Sequence, residues 1–299
     1  MSNEHVHHLS AQTLAHLQGW QGRTERFDDV ITSAPLRALS ATLDRDDPPP
    51  SADTELPPLW HWLFFLPNAP AHQIGPDGHA LRGGFLPPVP LPRRMWAGGH
   101  LEWHQALRVG DAVQRTSTVQ SVQHKRGRSG DLVFVKVLHT LHGARGLCLS
   151  EIHDVVYRPA ASPQDTPPQS LMGSELAVPD QPLWQRDVVP DAVLLFRYSA
   201  LTFNGHRIHY DRSYVTQVEG YPGLVVHGPL MATLLVDLVR RHSTRSLKNF
   251  RFKALRPVFE CGDARALRLC AQALNEQQLQ LWVQDHEGLV CMQASAEFN

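Results

Sequence analysis

GPLMATLLVDLVRRH, residues 228–242, is the stretch on which the fold turns. Leu230, Met231, Leu234, Leu235, Leu238 and Val239 recur at helical spacing on one face, which predicts an amphipathic helix. Pro229 suits the first turn, where a missing N–H is no loss, and Arg240 and Arg241 oppose the negative end of the dipole. The helix is expected from Gly228 to about His242. After it the period drops to two: LQLWVQ, a DHEG turn with glycine at the positive-φ position, then LVCMQASAEF, which predicts a hairpin. One long helix followed by antiparallel strands gives an α+β unit whose sheet wraps the helix.

Working back from that unit, the chain repeats itself. ALRVGD (106–111) is echoed by VFECGD (258–263), and each Gly-Asp turn leads into an alternating strand, AVQRTSTVQSV in one case and ARALRLCAQAL in the other. A hairpin follows in both; in the earlier copy it is LVFVKVLHTLH, turn GARG, LCLSEIHDVVY. The Pro-rich interval from Pro159 to Pro182 separates the copies, since prolines cannot pair in a ladder. Residues 1–158 are therefore read as an N-terminal half, 159–185 as a linker and 186–299 as a C-terminal half. A shorter break, Asp44 to Pro58, precedes an apolar helix candidate from Leu59 to Leu66, whose Trp60, Trp62, Phe64 and Phe65 are core candidates.

With 28 basic against 29 acidic residues, no global field draws the chain to nucleic acid or an anionic membrane, so the ligand should be small. No run approaches the ~18 apolar residues of a membrane span. Cys148, Cys261, Cys270 and Cys291 form no C-x-x-C pair and read as reduced strand residues of a cytosolic protein. His5, His7 and His8 belong to a terminus expected to be mobile, and the remaining histidines spell no closed metal quartet.

Chemistry concentrates in FRYSALTFNGHRIHYDRSYV (196–215) and YPGLVVHGPL (221–230). An alternating strand is expected to run into a loop carrying Asn204, His206, Arg207, His209 and Asp211, with the Gly228 helix following. Hydration of an enoyl thioester needs a base for water, an acid for Cα and donors for the enolate oxygen. His209 can move a proton near neutral pH, and Asn204 can hold a water through its amide. The first N–H groups of the helix, at Gly228 and Leu230, can hold a thioester oxygen.

These segments resemble the MaoC-like hot dog hydratases, whose pattern of an acid, a His five residues on and a Gly-led central helix falls here on Asn204, His209 and Gly228. LTFNGHRIHYD, GLVVHGPL and RRMWAGGHLEWHQALRVGD (93–111) are closer still to the two-half branch of itaconyl-CoA and mesaconyl-C4-CoA hydratases and type 2 hydroxyacyl-thioester dehydratases. The resemblance spans the chain from about Leu59 onward. It implies a double hot dog fold, a short branched or dicarboxylic enoyl-CoA as substrate, no cofactor, a cytoplasmic homodimer, and His209 with Asn204 as the catalytic pair. It also implies a degenerate first half and one site per chain. Where the simple hydratases carry aspartate this chain has Asn204, which cannot donate a proton as an acid. His209 must then act as both base and acid, or a water or Asp211 must help.

Other readings stand beside these. Arg207 either binds a CoA phosphate or substrate carboxylate through its fork, or makes an exposed salt bridge. Arg94, next to Arg93 and close to Trp96, either meets nucleotide phosphates or is a solvated charge before a strand. His227 either touches substrate or caps the helix, and His206, His209 and Asp211 could supply three metal donors, although no metal is expected. Two other functions share the fold: thioester hydrolysis, and acyl-thioester binding without turnover.

Overall fold

The computed structural model describes residues 8–127, 130–159, 181–260 and 266–299. Ten strands form one sheet: β1 (Thr24–Val30), β2 (Arg93–Trp103), β3 (Ala112–Gly127), β4 (Gly130–Gly143), β5 (Gly146–Arg158), β6 (Trp184–Val188), β7 (Leu247–Ala254), β8 (Leu267–Ala273), β9 (Gln278–Gln284) and β10 (Val290–Phe298). Their order is β1-β3-β4-β5-β2-β7-β10-β9-β8-β6. Counting outward from the centre, each half gives the same sequence of strands, so β1 to β5 correspond to β6 to β10. The duplication read from the two Gly-Asp turns is thus a structural repeat, although the second turn lies within 261–265, outside the described residues, as do Cys261, His5, His7 and most of the expected linker.

The halves meet where β2 pairs antiparallel with β7, Gly98 opposite Lys253 and Glu102 opposite Asn249. Glycine is required at this seam, because a Cβ on Gly98 would stand 2.5 Å from the Phe252 carbonyl oxygen. Both expected hairpins form, β4 to β5 and β9 to β10, and Gly146 and Gly288 supply positive φ at their turns.

The α-helices are α1 (Ala11–Gln18), α2 (Ser33–Thr42), α3 (Ala192–Leu201), α4 (Arg212–Gln217) and α5 (Gly228–His242), the last as its periodicity predicts. From Leu230 to Val239 every residue is buried, because the sheet covers one side and elements of both halves the other. Each large apolar side chain so buried contributes roughly 1.5–3 kcal/mol. Two residues of this run are polar, Thr233, whose hydroxyl donates to the Pro229 carbonyl at 2.8 Å, and Asp237, the one charged group. Asp237 accepts from Arg45 Nη1 at 2.6 Å, Arg186 Nη1 at 2.8 Å and Arg241 Nε at 2.8 Å, and Arg186 and Arg241 also donate to the Leu43 carbonyl. A buried carboxylate held by three guanidinium groups thereby ties α5 to the end of a first-half helix, α2 (Ser33–Thr42).

Two local expectations are corrected. Phe196 does not begin a strand: it lies in helix α3 (Ala192–Leu201), whose N-cap Asp191 accepts from the Leu194 N–H. Leu195, Tyr198 and Ser199 face inward at helical spacing, which overrides the apparent alternation. The Leu59–Leu66 helix shrinks to a single 3-10 turn, Trp60–Leu63, bounded by positive φ at Leu59 and Phe65. By its place after β1, α2 corresponds to α3 after β6, and the described residues between β1 and β2 hold no helix as long as α5. Trp60, Phe64 and Phe65 are buried, with Trp62 packed against them.

Candidate active site

The Asn204–His209 loop leaves α3 and closes with a 3-10 turn, Arg207–His209. The Val225 N–H donates to the Ile208 carbonyl at 2.9 Å, which brings the two segments read as one pocket side by side. His209 is buried, and its Nδ1 lies 2.7 Å from the Val225 carbonyl oxygen. A carbonyl only accepts, so Nδ1 carries the proton and Nε2 keeps its lone pair. Burial pushes this imidazole down to about 4, against the bond to Val225, so at neutral pH the ring is neutral with a basic nitrogen free.

His227 stacks on His209, ring centroids 3.7 Å apart and planes within 18°. It is the N-cap residue of α5 but makes no side-chain capping bond; its Nε2 lies 2.8 Å from Ser199 Oγ instead. Burial, with the imidazoles of His209 and His206, holds it well below the usual histidine range. This ring packs against His209 and fixes it in place. The stack also sets Gly228 next to the imidazole. The first helical bond at this end runs from Met231 N–H to the His227 carbonyl, leaving the N–H groups of Gly228 and Leu230 outside the ladder. The side chain of Leu230 is fully buried.

Asn204 is half-buried, and its Oδ1 accepts the His206 N–H at 3.0 Å. The bond fixes the amide orientation, so the group left for a water is Nδ2, a donor. Arg207 turns to Asp211 (Nε to Oδ2 3.0 Å, Nη2 to Oδ2 2.8 Å), donates to the Pro76 carbonyl at 3.0 Å and covers the Tyr214 ring. Its fork is engaged within the protein, and the same pairing occupies Asp211.

The first half supplies the opposite wall. Trp96 on β2 places its carbonyl oxygen 3.7 Å from where a Cβ on Gly228 would stand. Its indole lies against Trp62, Phe252 and His153. Burial lowers His79 and His206, and the charge of Arg94, two residues before Trp96, adds to it. Arg93 points elsewhere, to the Glu219 carbonyl at 3.1 Å. Behind Trp96 the fully buried Glu151 accepts from Trp62 Nε1 at 2.8 Å, with His61 Nε2 at 2.9 Å and His153 Nε2 at 2.7 Å. Burial works to raise this carboxyl, yet His153 and His61 hold it well below the usual range.

Sequence reasoning missed one group altogether. Asp77 and His79 come from the first half, and the His79 ring centroid lies 4.0 Å from that of His206, which is 5.4 Å from His209. A D-G-H turn was visible, but nothing local connects it with a loop more than a hundred residues later. Asp77, His79 and His206 each place a donor within 4.8 Å of the others, the one such grouping among the described residues. Asp77 Oδ2 and His79 Nδ1 are already spent on each other at 3.1 Å, which suits proton transfer better than a cation.

The family model for hydroxyacyl-thioester dehydratase type 2 matches residues 59–260. The chain is 45% identical over 279 residues to the mesaconyl-C(4)-CoA hydratase of Chloroflexus aurantiacus, covering 93% of this chain and 96% of that one. Among solved structures, a MaoC-like dehydratase from Phytophthora capsici aligns with a TM-score of 0.66 at 10% identity, over 96% of this chain and 97% of its own. A conserved hypothetical protein from Mycobacterium tuberculosis, described as having a double hotdog fold, aligns with a TM-score of 0.55 at 13% identity, over 93% and 96%. The structural likeness speaks for fold, and the fold is a double hot dog.

Proposed function

The chain belongs to the hydroxyacyl-thioester dehydratase type 2 family and is an acyl-CoA hydratase/dehydratase; from that premise we propose that its substrate is a short branched or dicarboxylic enoyl-CoA of the mesaconyl-C4 or itaconyl kind. The observation that carries the reading is the buried, neutral His209 whose Nδ1–H is fixed by Val225 and whose Nε2 is free. In hydration the Asn204 amide holds a water, and Nε2 takes its proton as the oxygen bonds to Cβ. The double-bond electrons pass to the thioester oxygen, which the N–H groups of Gly228 and Leu230 hold at the positive end of α5. Protonation of Cα completes the addition, and dehydration runs the same path in reverse. The scheme uses side chains and backbone alone and calls for no cofactor.

We assign Arg94 to the substrate carboxylate or a CoA phosphate, because Arg207 is tied to Asp211. The test is mass-spectrometric: wild type and His209→Ala are offered mesaconyl-C4-, itaconyl- and crotonyl-CoA while the gain of one water is followed. Wild type should hydrate at least one, and the variant should lose on the order of 10²-fold or more. Release of free thiol instead would identify a thioesterase, and binding without either product an acyl-thioester carrier. We also read the chain as a cytoplasmic homodimer, on the family resemblance; light scattering on the purified protein checks the dimer. Among the described residues no helix is long and apolar enough to cross a membrane.

A further inference from the structure

The loop carrying Asp77 and His79 is built to be held against the active-site loop. Gly75 N–H donates to the His79 carbonyl at 2.7 Å and Gly78 N–H to the Gly75 carbonyl at 2.9 Å, closing a tight turn. Gly78 has φ +88°, and a Cβ there would collide with the Gly205 carbonyl oxygen, so two backbones meet with no side chain between them. Arg207 fastens the contact, its N–H donating to the Asp77 carbonyl at 2.9 Å and its Nη1 to Pro76 at 3.0 Å. Within the turn, Asp77 accepts twice from one residue: Oδ1 from the His79 N–H at 3.0 Å and Oδ2 from Nδ1 at 3.1 Å. As in His209, the second ring nitrogen, Nε2, is left free.

Resting on the hydratase reading above, we propose that Asp77 and His79 form the second acid–base unit of the site and supply what the carboxamide at Asn204 cannot. The form that reacts carries one proton between His209 and His79, and it starts on His79: burial disfavours that charge, and the Asp77 carboxylate on Nδ1 offsets it. In hydration His209 Nε2 takes a proton from water as the O–Cβ bond forms, the double-bond pair moves into the enolate, and His79 Nε2–H gives its proton to Cα. His209 ends protonated and His79 neutral, and proton exchange with water restores both; the His206 ring is in contact with each. Dehydration reverses each transfer.

The surroundings agree with this division. Asp77 faces burial that would raise it, yet its bonds to His79 hold it well below the usual carboxylate range, so it is the anion that supports an imidazolium. His79 is lowered by burial and by Arg94 and Arg82, and raised by Asp77. The groups acting on it are therefore Asp77, Arg94, Arg82 and, by ring contact, His206. His79 in turn lowers His209, so a charge on one disfavours a charge on the other, as a shared proton requires.

The experiment follows mesaconyl-C4-CoA hydration in D₂O by wild type, His79→Gln and Asp77→Asn, recording kcat, KM, pH profile and deuterium at Cα. His79→Gln should lose about 10²-fold or more in kcat, with KM within a few fold. Asp77→Asn should lose less and move the alkaline limb to lower pH, since without the carboxylate the acid form of His79 is lost sooner. Urea unfolding of each variant verifies the fold, and His79→Asn replaces His79→Gln if the latter does not fold. A His79→Gln enzyme that keeps kcat within about threefold and the same pH profile overturns the inference while leaving the hydratase reading intact. Stoichiometric Zn²⁺ in wild type that is lost in His79→Gln makes the trio a cation site and overturns it likewise. A wild type that hydrates no enoyl-CoA removes both.

Discussion

Acidification should unfold this protein through its buried imidazoles, and His209 sets a measurable share of that effect. In the fold its pKa is held at about 4 by burial, whereas in the unfolded chain it returns to about 6.5. Between those values the unfolded chain binds a proton that the folded chain refuses, so stability is constant above about 6.5 and falls as pH drops toward 4. At about 1.4 kcal/mol per pH unit the loss approaches 3 kcal/mol at the lower end, a sizeable part of the 5–15 kcal/mol typical of a folded domain. Burial lowers His79, His139, His206 and His227 in the same direction, which steepens the total slope. Replacing His209 by Gln isolates its part: glutamine does not titrate, fits a similar space and can donate to Val225. Urea unfolding of both proteins from pH 7.5 to about 4.5 gives the two curves. The wild-type curve should fall below that of the variant by about 2–3 kcal/mol across the interval. Parallel curves would refute the claim that His209 is neutral in the fold.

Other perturbations test the supports of the site. Glu151→Ala leaves two imidazoles and the Trp62 indole without their acceptor in a dry interior and should cost about 3–5 kcal/mol, read as a lowered urea midpoint. Asp237→Ala should cost less, about 2–3 kcal/mol, because its three arginines are partly exposed and can take water; thermal melting reports it. Gly78→Ala should leave the sheet intact by circular dichroism, yet cut hydration by on the order of 10²-fold through misplacement of the loop against Gly205.

How much of this was legible before the structure depended on the range of the interaction. Helix α5 could be read to the residue because its apolar stripe, its proline and its terminal arginines all lie within fifteen positions. The hairpins were equally plain, being local. Helix α3 was misread because the window opened at Phe196, inside the helix, and passed over Asp191, the cap that announces it. His209, Asn204 and Gly228 could be chosen by spacing, but the stacking of His227 on His209 could not, since it depends on how the loop folds back on the helix entry. Asp77 and His79 were beyond reach for the same reason on a larger scale. Their partner loop lies in the other half of the chain, and the pairing shows only in the folded contacts of Gly78 with Gly205, Arg207 with Asp77 and Pro76, and His79 with His206.

The seam between β2 and β7 has a consequence for how the molecule loosens. With glycine at Gly98 and Gly99 the backbones pair across the centre without intervening bulk, and the Asp237 clamp holds the same two halves from behind. Neither half can then fray without exposing the edge strand of the other, so unfolding should be a single cooperative event. A ligand gripped between them would protect both. Amide hydrogens in β3 and β4, remote from the imidazoles, should exchange more slowly once acyl-CoA is bound, by the same factor as those in β9 and β10.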